Sequence, residues 1–347
     1  MERIIIKDFG PIEYIDMPLD KQFNVIIGEQ ATGKSTIVKW INYFSKIAFD
    51  FQRVFFSMLK PGIQLDVDKV LHLAEEYGVK RVYDYFGASF FEDTTVVRYY
   101  FYDNYYAEVF QENGITKLLY SGELEKSLKK VIQEMFVIVG NYSGNVQALV
   151  SLQGQIFYKW NEVFCENWVV FLPAGRSNVI TSITPELDVN ISEISQDVCI
   201  QQFITDVKLY KNIYVTGYFQ QFLKKHFESS DKYYREFQEL EQLQMKVLNG
   251  KYLMQDGNDY IELTNKKLVP MIFASSGQQE TVWVMNILGM KAYENLSSVQ
   301  SGVLIIEEPE AHLHPQWIFE PVNTGLDWNA SLAAQSSVGK NLVSKYS

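Results

Sequence analysis

Cysteine is nearly absent: there are two in 347 residues, Cys165 and Cys199. Two thiols build neither a disulfide framework nor a four-thiolate zinc site, and they read as small buried residues in a reducing compartment. Histidine is also sparse, with four residues: His72, His226, His312 and His314. Basic residues are outnumbered, 31 Lys and Arg against 42 Asp and Glu, so the net charge is −11. That balance carries no global footprint for nucleic acid, although a local basic groove is invisible in a total. No apolar run approaches the roughly 20 residues that span a bilayer. The start, Met1 to Asp8, lacks the long apolar segment of a signal peptide. The expectation is a cytoplasmic protein with no membrane partner.

The chain is rich in core-forming residues: 47% are hydrophobic and 15% aromatic, with 22 Tyr and 23 Phe. This suffices for one elaborated domain or two. The strongest single signal is Gly28-Glu29-Gln30-Ala31-Thr32-Gly33-Lys34-Ser35. It fits G-x-x-x-x-G-K-S/T, a pattern that arises by chance in roughly one chain of this length in a hundred. A β-favouring run, Phe23 to Ile27, precedes it, and an amphipathic stretch from Ser35 to about Ile47 follows. Strand, glycine loop and helix form the arrangement in which backbone N–H groups face phosphates and Lys34 reaches the terminal ones. The residues assigned to a nucleotide are Gly28, Ala31, Thr32, Gly33, Lys34, Ser35 and Thr36, and the nucleotide is expected to be ATP.

Around this loop the pattern predicts an α/β nucleotide core split by a mixed insertion. Residues 1 to 47 read as a strand over Arg3 to Ile6, a connection through Pro11 and Pro18, the strand Phe23 to Ile27, the loop and a helix. Residues 48 to 167 read as the insertion. It holds a helix over Val70 to Tyr85 with Gly78 as a break. Three short strands follow, Thr95 to Tyr102, Tyr105 to Phe110 and Ile115 to Tyr120, and then a helix over Glu123 to Val139. Residues 168 to 317 resume the core, starting with the buried-type strand Trp168 to Leu172 and Pro173-Ala174-Gly175-Arg176-Ser177. A long helical region is expected over Val198 to Leu248, then short strands over Lys251 to Phe273. Residues 318 to 347 form an atypical tail. There are no internal repeats.

Two further motifs lie downstream. Val303-Leu304-Ile305-Ile306-Glu307-Glu308 is an apolar run of the buried-strand type that ends in two carboxylates. Ligands bind at the carboxyl ends of such strands, which places Glu307 and Glu308 beside the phosphates. Ser35 and Glu307 are then the expected ligands of Mg²⁺, and Glu308 the residue that orients or deprotonates the attacking water. The third motif, Ala274-Ser275-Ser276-Gly277-Gln278-Gln279-Glu280, opens an apolar helical run. Ser276 is read as a cap for that helix, and Gly277 as a point of close backbone approach.

In this order the three motifs resemble the ABC-type ATPase heads of the SMC, RecF and OLD families. They are most similar to stand-alone bacterial AAA-family ATPases found beside anti-phage nucleases. Lys7-Asp8-Phe9-Gly10-Pro11-Ile12 with Asn24-Val25-Ile26-Ile27-Gly28 looks like their N-terminal strand pair. Ser275-Ser276-Gly277-Gln278-Gln279 looks like the signature loop. Glu307-Glu308-Pro309-Glu310-Ala311-His312-Leu313-His314-Pro315 is similar to their Walker B extension, and Phe171 to Ser177 to an internal motif in which Arg176 reads as an anchor. The resemblance covers residues 1 to 40 and 168 to 317 and is weak from about 48 to 160.

The resemblance implies a P-loop NTPase of the ABC/SMC-head type. It also implies an ATP-sandwich homodimer in which Ser276, Gly277 and Gln279 of one subunit contact the γ-phosphate held by Gly33, Lys34 and Ser35 of the other. A nuclease partner or DNA, and a role in anti-phage defence, follow by analogy alone. Such heads continue after the acidic strand to a switch histidine, and no histidine follows Pro315 here. The expectation is therefore truncation or a frameshift near Trp317, with a variant that dispenses with the last strand as the alternative. That departure keeps a second reading open, an ATP-binding regulatory module that does not hydrolyse. A small-molecule kinase would also use the loop but leaves Ser276-Gly277 and the residues after Glu308 unexplained. A metal site at His312 and His314 is the weaker reading of that pair beside a structural turn.

Overall fold

In β1, Arg3–Phe9, burial alternates: Ile4 and Ile6 face inward while Arg3, Ile5 and Lys7 do not. Continued alternation would bury Asp8. Instead Asp8 takes a left-handed φ of 48°, the pairing register slips between Lys7 and Phe9, and Phe9 turns inward with no exposure. A bulge of this kind re-aims one side chain at the cost of one unpaired residue. The computed structural model from which these features are read describes residues 2–19, 24–59, 66–140, 155–156, 159–160, 163–164, 168–174, 197–215, 242, 244–255, 258–297 and 302–308. The chain divides into two compact units, Met1–Val169 and Val170–Ser347.

The first unit carries a five-stranded antiparallel sheet in the order β2-β1-β3-β4-β5, with β2 Ile12–Pro18, β3 Phe91–Tyr102, β4 Tyr105–Glu112 and β5 Ile115–Tyr120. The three strands of the meander lie close to their expected bounds. The turn between β4 and β5 is Asn113-Gly114, both with positive φ, as a two-residue hairpin with right-handed strand twist requires. The meander pairs with β1, so the N-terminal strands and the residues read as an insertion share one sheet. β2 was not expected. The backbone turns at Gly10 and Pro11 and runs back along β1, and Pro18 sits at the strand's end on the sheet edge, where a missing N–H is tolerated.

The strand expected over Phe23 to Ile27 is not formed. Phe23 is outside the described residues, Asn24 to Glu29 has no regular structure, and Val25 and Ile27 are 51% and 37% exposed. Strand propensity becomes a strand only where a partner ladder and a buried face exist. Among the described residues no strand hydrogen-bonds to this run.

The helix expected over Ser35 to about Ile47 is α1, Lys34–Phe44, and after a turn at Ser45 and Lys46 comes α2, Ile47–Met58, where no helix was expected. α3, Val67–Phe86, is capped by Asp66, whose carboxylate accepts from the Lys69 N–H at 2.8 Å. Helix α4, Gly122–Gly140, buries the stripe Leu124, Leu128, Val131, Ile132 and Met135 that its sequence predicts. The core joins these elements through aromatic rings. Phe9 meets Trp40 of α1, Phe86 of α3 and Phe91 of β3 with centroids 5.0–5.1 Å apart. A buried ion pair joins α2 to α3, Asp50 with Arg81 at 3.0 Å, and burial pushes the Asp50 carboxyl up to about 7 against the opposing pull of Arg81.

In the second unit β6, Trp168–Leu172, pairs with β10, Gly302–Ile306. Helix α5 covers Val198–Val215, and a helical turn recurs over 244–248. The sequence predicts a long helical region across that span, with a break near Ser229-Ser230-Asp231, and residues 216–241 and 243 are outside the described residues. Strands β7 Gly250–Gln255, β8 Asn258–Leu263 and β9 Leu268–Pro270 form an antiparallel sheet. A 3₁₀ turn, Met271–Phe273, then leads to α6, Ser276–Ser297. Lys211 of α5 bonds to Asp259 of β8 at 2.6 Å and lies 4.7 Å from the Trp283 ring of α6. The fold class is α/β, as the sequence implies. No helix among the described residues is long and apolar enough to cross a membrane.

Gly78 does not break α3; the helix runs through it. A Cβ there would sit 2.5 Å from Leu118 Cδ2 and 3.2 Å from the Tyr43 hydroxyl, which donates to the Gly78 carbonyl at 3.1 Å. The glycine is a contact point between α3, α1 and β5, not a weak link. Gly78→Val should therefore destabilise the protein by about 2 kcal/mol, the usual cost of overpacking a filled core. Chemical denaturation of the variant against wild type measures it, and an unchanged midpoint would contradict the packing account.

Candidate functional site

The residues singled out in the sequence fall into groups in both units, and each group is built by its own elements. In Met1–Val169 the glycine loop ends at Gly33, whose φ of 91° places it in the left-handed region just ahead of α1. Ala31 shares that handedness at φ 63°. Two left-handed residues so close together curl the loop, the backbone form that anion cradles use. Gly33 is also a point of close approach, since a Cβ would lie 2.6 Å from Ile12 Cγ1. Gly28 to Thr32 are exposed, Ser35 and Thr36 sit half-buried on the first turn of α1, and the Thr32 hydroxyl donates to the Glu29 carbonyl at 2.9 Å.

Lys34 is the informative side chain of this group. It is 9% exposed and folds back over the loop, where Nζ donates to the Gly28 carbonyl at 2.9 Å and to the Glu29 carbonyl. The ammonium thus sits at the centre of the curl on neutral acceptors. Phosphate oxygens are stronger acceptors for such a donor, because the bond becomes charge-assisted on both sides. The donor set of this loop fits a polyphosphate.

In Val170–Ser347, Glu307 directly follows β10 and is 4% exposed. Its N–H donates to the Leu172 carbonyl at 2.9 Å, and its Oε2 accepts from the Ala174 N–H at 3.1 Å. Its carboxylate is therefore oriented by backbone at the end of β6. The sequence marked Phe171 to Ser177 without a role; part of that role is this N–H. Arg176 is outside the described residues. Glu308 is half-buried with φ 44°, a left-handed conformation costing of order 1 kcal/mol for a non-glycine residue. The turn ends the strand alternation that would otherwise carry two successive carboxylates to opposite faces.

The third group corrects one assignment. The cap of α6 is Ser275, not Ser276. Ser275 Oγ accepts from the Gln278 N–H at 3.2 Å, and Gln278 Oε1 accepts from the Ser275 N–H at 3.1 Å. This reciprocal pair is a capping box, S-x-x-Q, and the spacing was legible in the sequence. Ser276 and Gly277 become the first two residues of the helix, exposed and half-buried respectively. Gln279 was expected to meet a γ-phosphate. It is 7% exposed, and its amide donates to the Met271 and Ala274 carbonyls at 2.9 and 3.1 Å. A side chain bonded to two carbonyls helps to shape the loop.

Among the described residues no three His, Cys, Asp or Glu cluster as a metal site. His312, His314, Cys165 and the residues from 309 onward are outside them, whereas Cys199 is buried. The capping assignment has a direct consequence. Ser275→Ala should lower stability by about 1 kcal/mol, while Ser276→Ala stays within about 0.5 kcal/mol of wild type. Denaturation midpoints separate the two, and the reverse order would restore the cap to Ser276.

Comparison with known proteins adds a family. Residues 1–168 match the model of the AAA ATPase domain. No curated protein matches the chain. Among solved structures it is similar to the recombination mediator protein RecF of the RecFOR pathway in its ATPrS form, at 12% identity, covering 97% of this chain and 92% of that one, with a TM-score of 0.41. It is also similar to the Smc head domain of Pyrococcus furiosus bound to the C-terminal domain of ScpA, at 11% identity, covering 97% and 90%, with a TM-score of 0.40. The residues that match the AAA ATPase domain, 1–168, hold the whole phosphate loop.

Proposed function

We propose that the chain binds ATP at Gly28 to Thr36, hydrolyses it with the help of Glu307 and Glu308, and pairs with a second copy through Ser276 and Gly277. The observation that carries this reading is the loop geometry: a curled backbone at the head of α1 with the Lys34 ammonium at its centre. A glycine turn with no ligand role has no use for a nearly buried lysine aimed into it.

The roles follow from chemistry. Lys34 and the N–H groups around Gly33 hold the phosphates. Mg²⁺, when bound, neutralises charge on phosphate oxygens, and the Ser35 hydroxyl and the Glu307 carboxylate are the hard oxygen donors that fit it. Glu307 suits that task because the Ala174 N–H fixes one of its oxygens. Glu308 takes the proton of the attacking water. Ser276 and Gly277 of one copy donate to the terminal phosphate held by Gly33, Lys34 and Ser35 of another, so that ATP favours the paired state. Gln279 is left out of this contact because its amide is bound within the loop.

The resemblance of the three motifs supports a wider role as a switch for a nuclease or DNA-associated partner in a cytoplasmic defence system. Affinity capture with and without ATP, followed by a nuclease assay on the captured material, tests that role.

Two substitutions test the core of the reading. Lys34→Ala should weaken ATP binding by about 100-fold or more, since it removes a charge-assisted contact and leaves phosphate charge uncompensated. Fluorescent-nucleotide titration measures this loss. Glu308→Gln should leave ATP affinity near wild type, lower phosphate release by about 10²- to 10³-fold and accumulate the paired state. Light scattering after gel filtration with ATP reads the pairing, and hydrolysis at the wild-type rate would remove Glu308 from catalysis.

A further inference from the structure

We propose that Gln278 is a positioning residue for Ser276 and Gly277, acting through the carbonyl of Leu248; this rests on the reading that those two residues meet nucleotide. Gln278 does two separable things. Its Oε1 completes the capping box on Ser275, as any Gln or Glu at that position would. Its Nε2 donates at 2.7 Å to the Leu248 carbonyl, thirty positions back in the chain. The amide's orientation is dictated by its partners, because Ser275 presents an N–H and Leu248 presents a carbonyl. Capping needs only the first bond. The second ties the first turn of α6 to a different part of the unit.

That other part is itself built to hold a fixed place. Leu248 has no exposure, and it ends the helical turn 244–248. Asn249 follows with φ 50°, and Gly250 begins β7. A Cβ on Gly250 would lie 2.6 Å from the Glu262 carbonyl oxygen and 2.8 Å from Ile261 Cγ2, so the corner is pressed against β8. The carbonyl that Gln278 grips is therefore presented by a left-handed residue and a glycine contact, neither of which drifts without disturbing the sheet. From the other side, Gln279 grips the Met271 and Ala274 carbonyls. Two successive glutamines hold the loop, and only Gln278 reaches outside it. A donor misplaced by about 1 Å forfeits much of its effect on a reaction, so such a tether acts on turnover more than on binding.

The test compares the full chain with Gln278→Glu and Gln278→Met. Glutamate keeps the acceptor for Ser275 and loses the donor for Leu248, whereas methionine loses both and adds no charge. Phosphate release is measured together with hydrogen exchange of peptides covering 244–250 and 275–279, with and without ATP and Mg²⁺. Both variants should keep KM within about twofold and lose about tenfold or more in kcat. ATP should protect both peptides in wild type and fail to protect 244–250 in either variant. Wild-type kcat in both variants would overturn the positioning role. Protection of 275–279 without 244–250 in the wild-type chain would overturn the Leu248 link alone. No protection of 275–279 in the wild-type chain would show that the loop does not meet nucleotide, and the reading beneath the proposal would fall with it.

Discussion

The contact between Phe9 and Trp40 is the constraint on which the nucleotide loop depends. Lys34 can aim into the loop only if α1 is held in one orientation, and α1 is held by its buried face. Trp40 has no exposure, stacks on Phe86 at 4.3 Å and meets Phe9 edge-on at 5.1 Å. A fully buried side chain of this size contributes about 1.5–3 kcal/mol, more than any single hydrogen bond in the loop. Phe9 reaches Trp40 only because the bulge at Asp8 turns it inward. One irregular residue in β1 therefore determines where a lysine on another element can point.

The second unit uses backbone and amide groups to similar effect. Glu307 is oriented by one N–H from the end of β6, and the loop before α6 is held by amide side chains bonded to carbonyls. Each of these bonds is worth about 1 kcal/mol, so none is a large source of stability. Their value is directional. A carboxylate and a helix start held in set directions need fixed angles, and short polar bonds supply angles that apolar packing does not.

Much of this was legible in advance, and the exceptions are instructive. The strands of the meander and the buried stripe of α4 follow from periodicity, because alternation and 3.6-residue spacing are local properties. The end of α1 near Ile47 was legible, whereas α2 was not expected, because its aromatic-rich sequence, Ile47 to Met58, suits strand and helix alike. β2 was missed because two prolines suggested a loop, yet one sits before the strand and the other at its end. The capping box at Ser275 and Gln278 is encoded in the S-x-x-Q spacing, but the adjacent Ser276-Gly277 offers an equally local cap signal one residue later.

The amino-acid sequence alone determined the chemistry on offer: a glycine loop with Lys34, two carboxylates after an apolar strand, and a serine-glycine turn at a helix start. These are legible because local spacing and residue type suffice to define them. Only the tertiary structure decided which way the side chains are committed. It turned Gln279 inward, gave Ser275 the cap, sent Gln278 to Leu248 and left Asn24 to Ile27 outside any strand. Those outcomes depend on which carbonyls and strands arrive from distant parts of the chain, and no local pattern encodes their arrival.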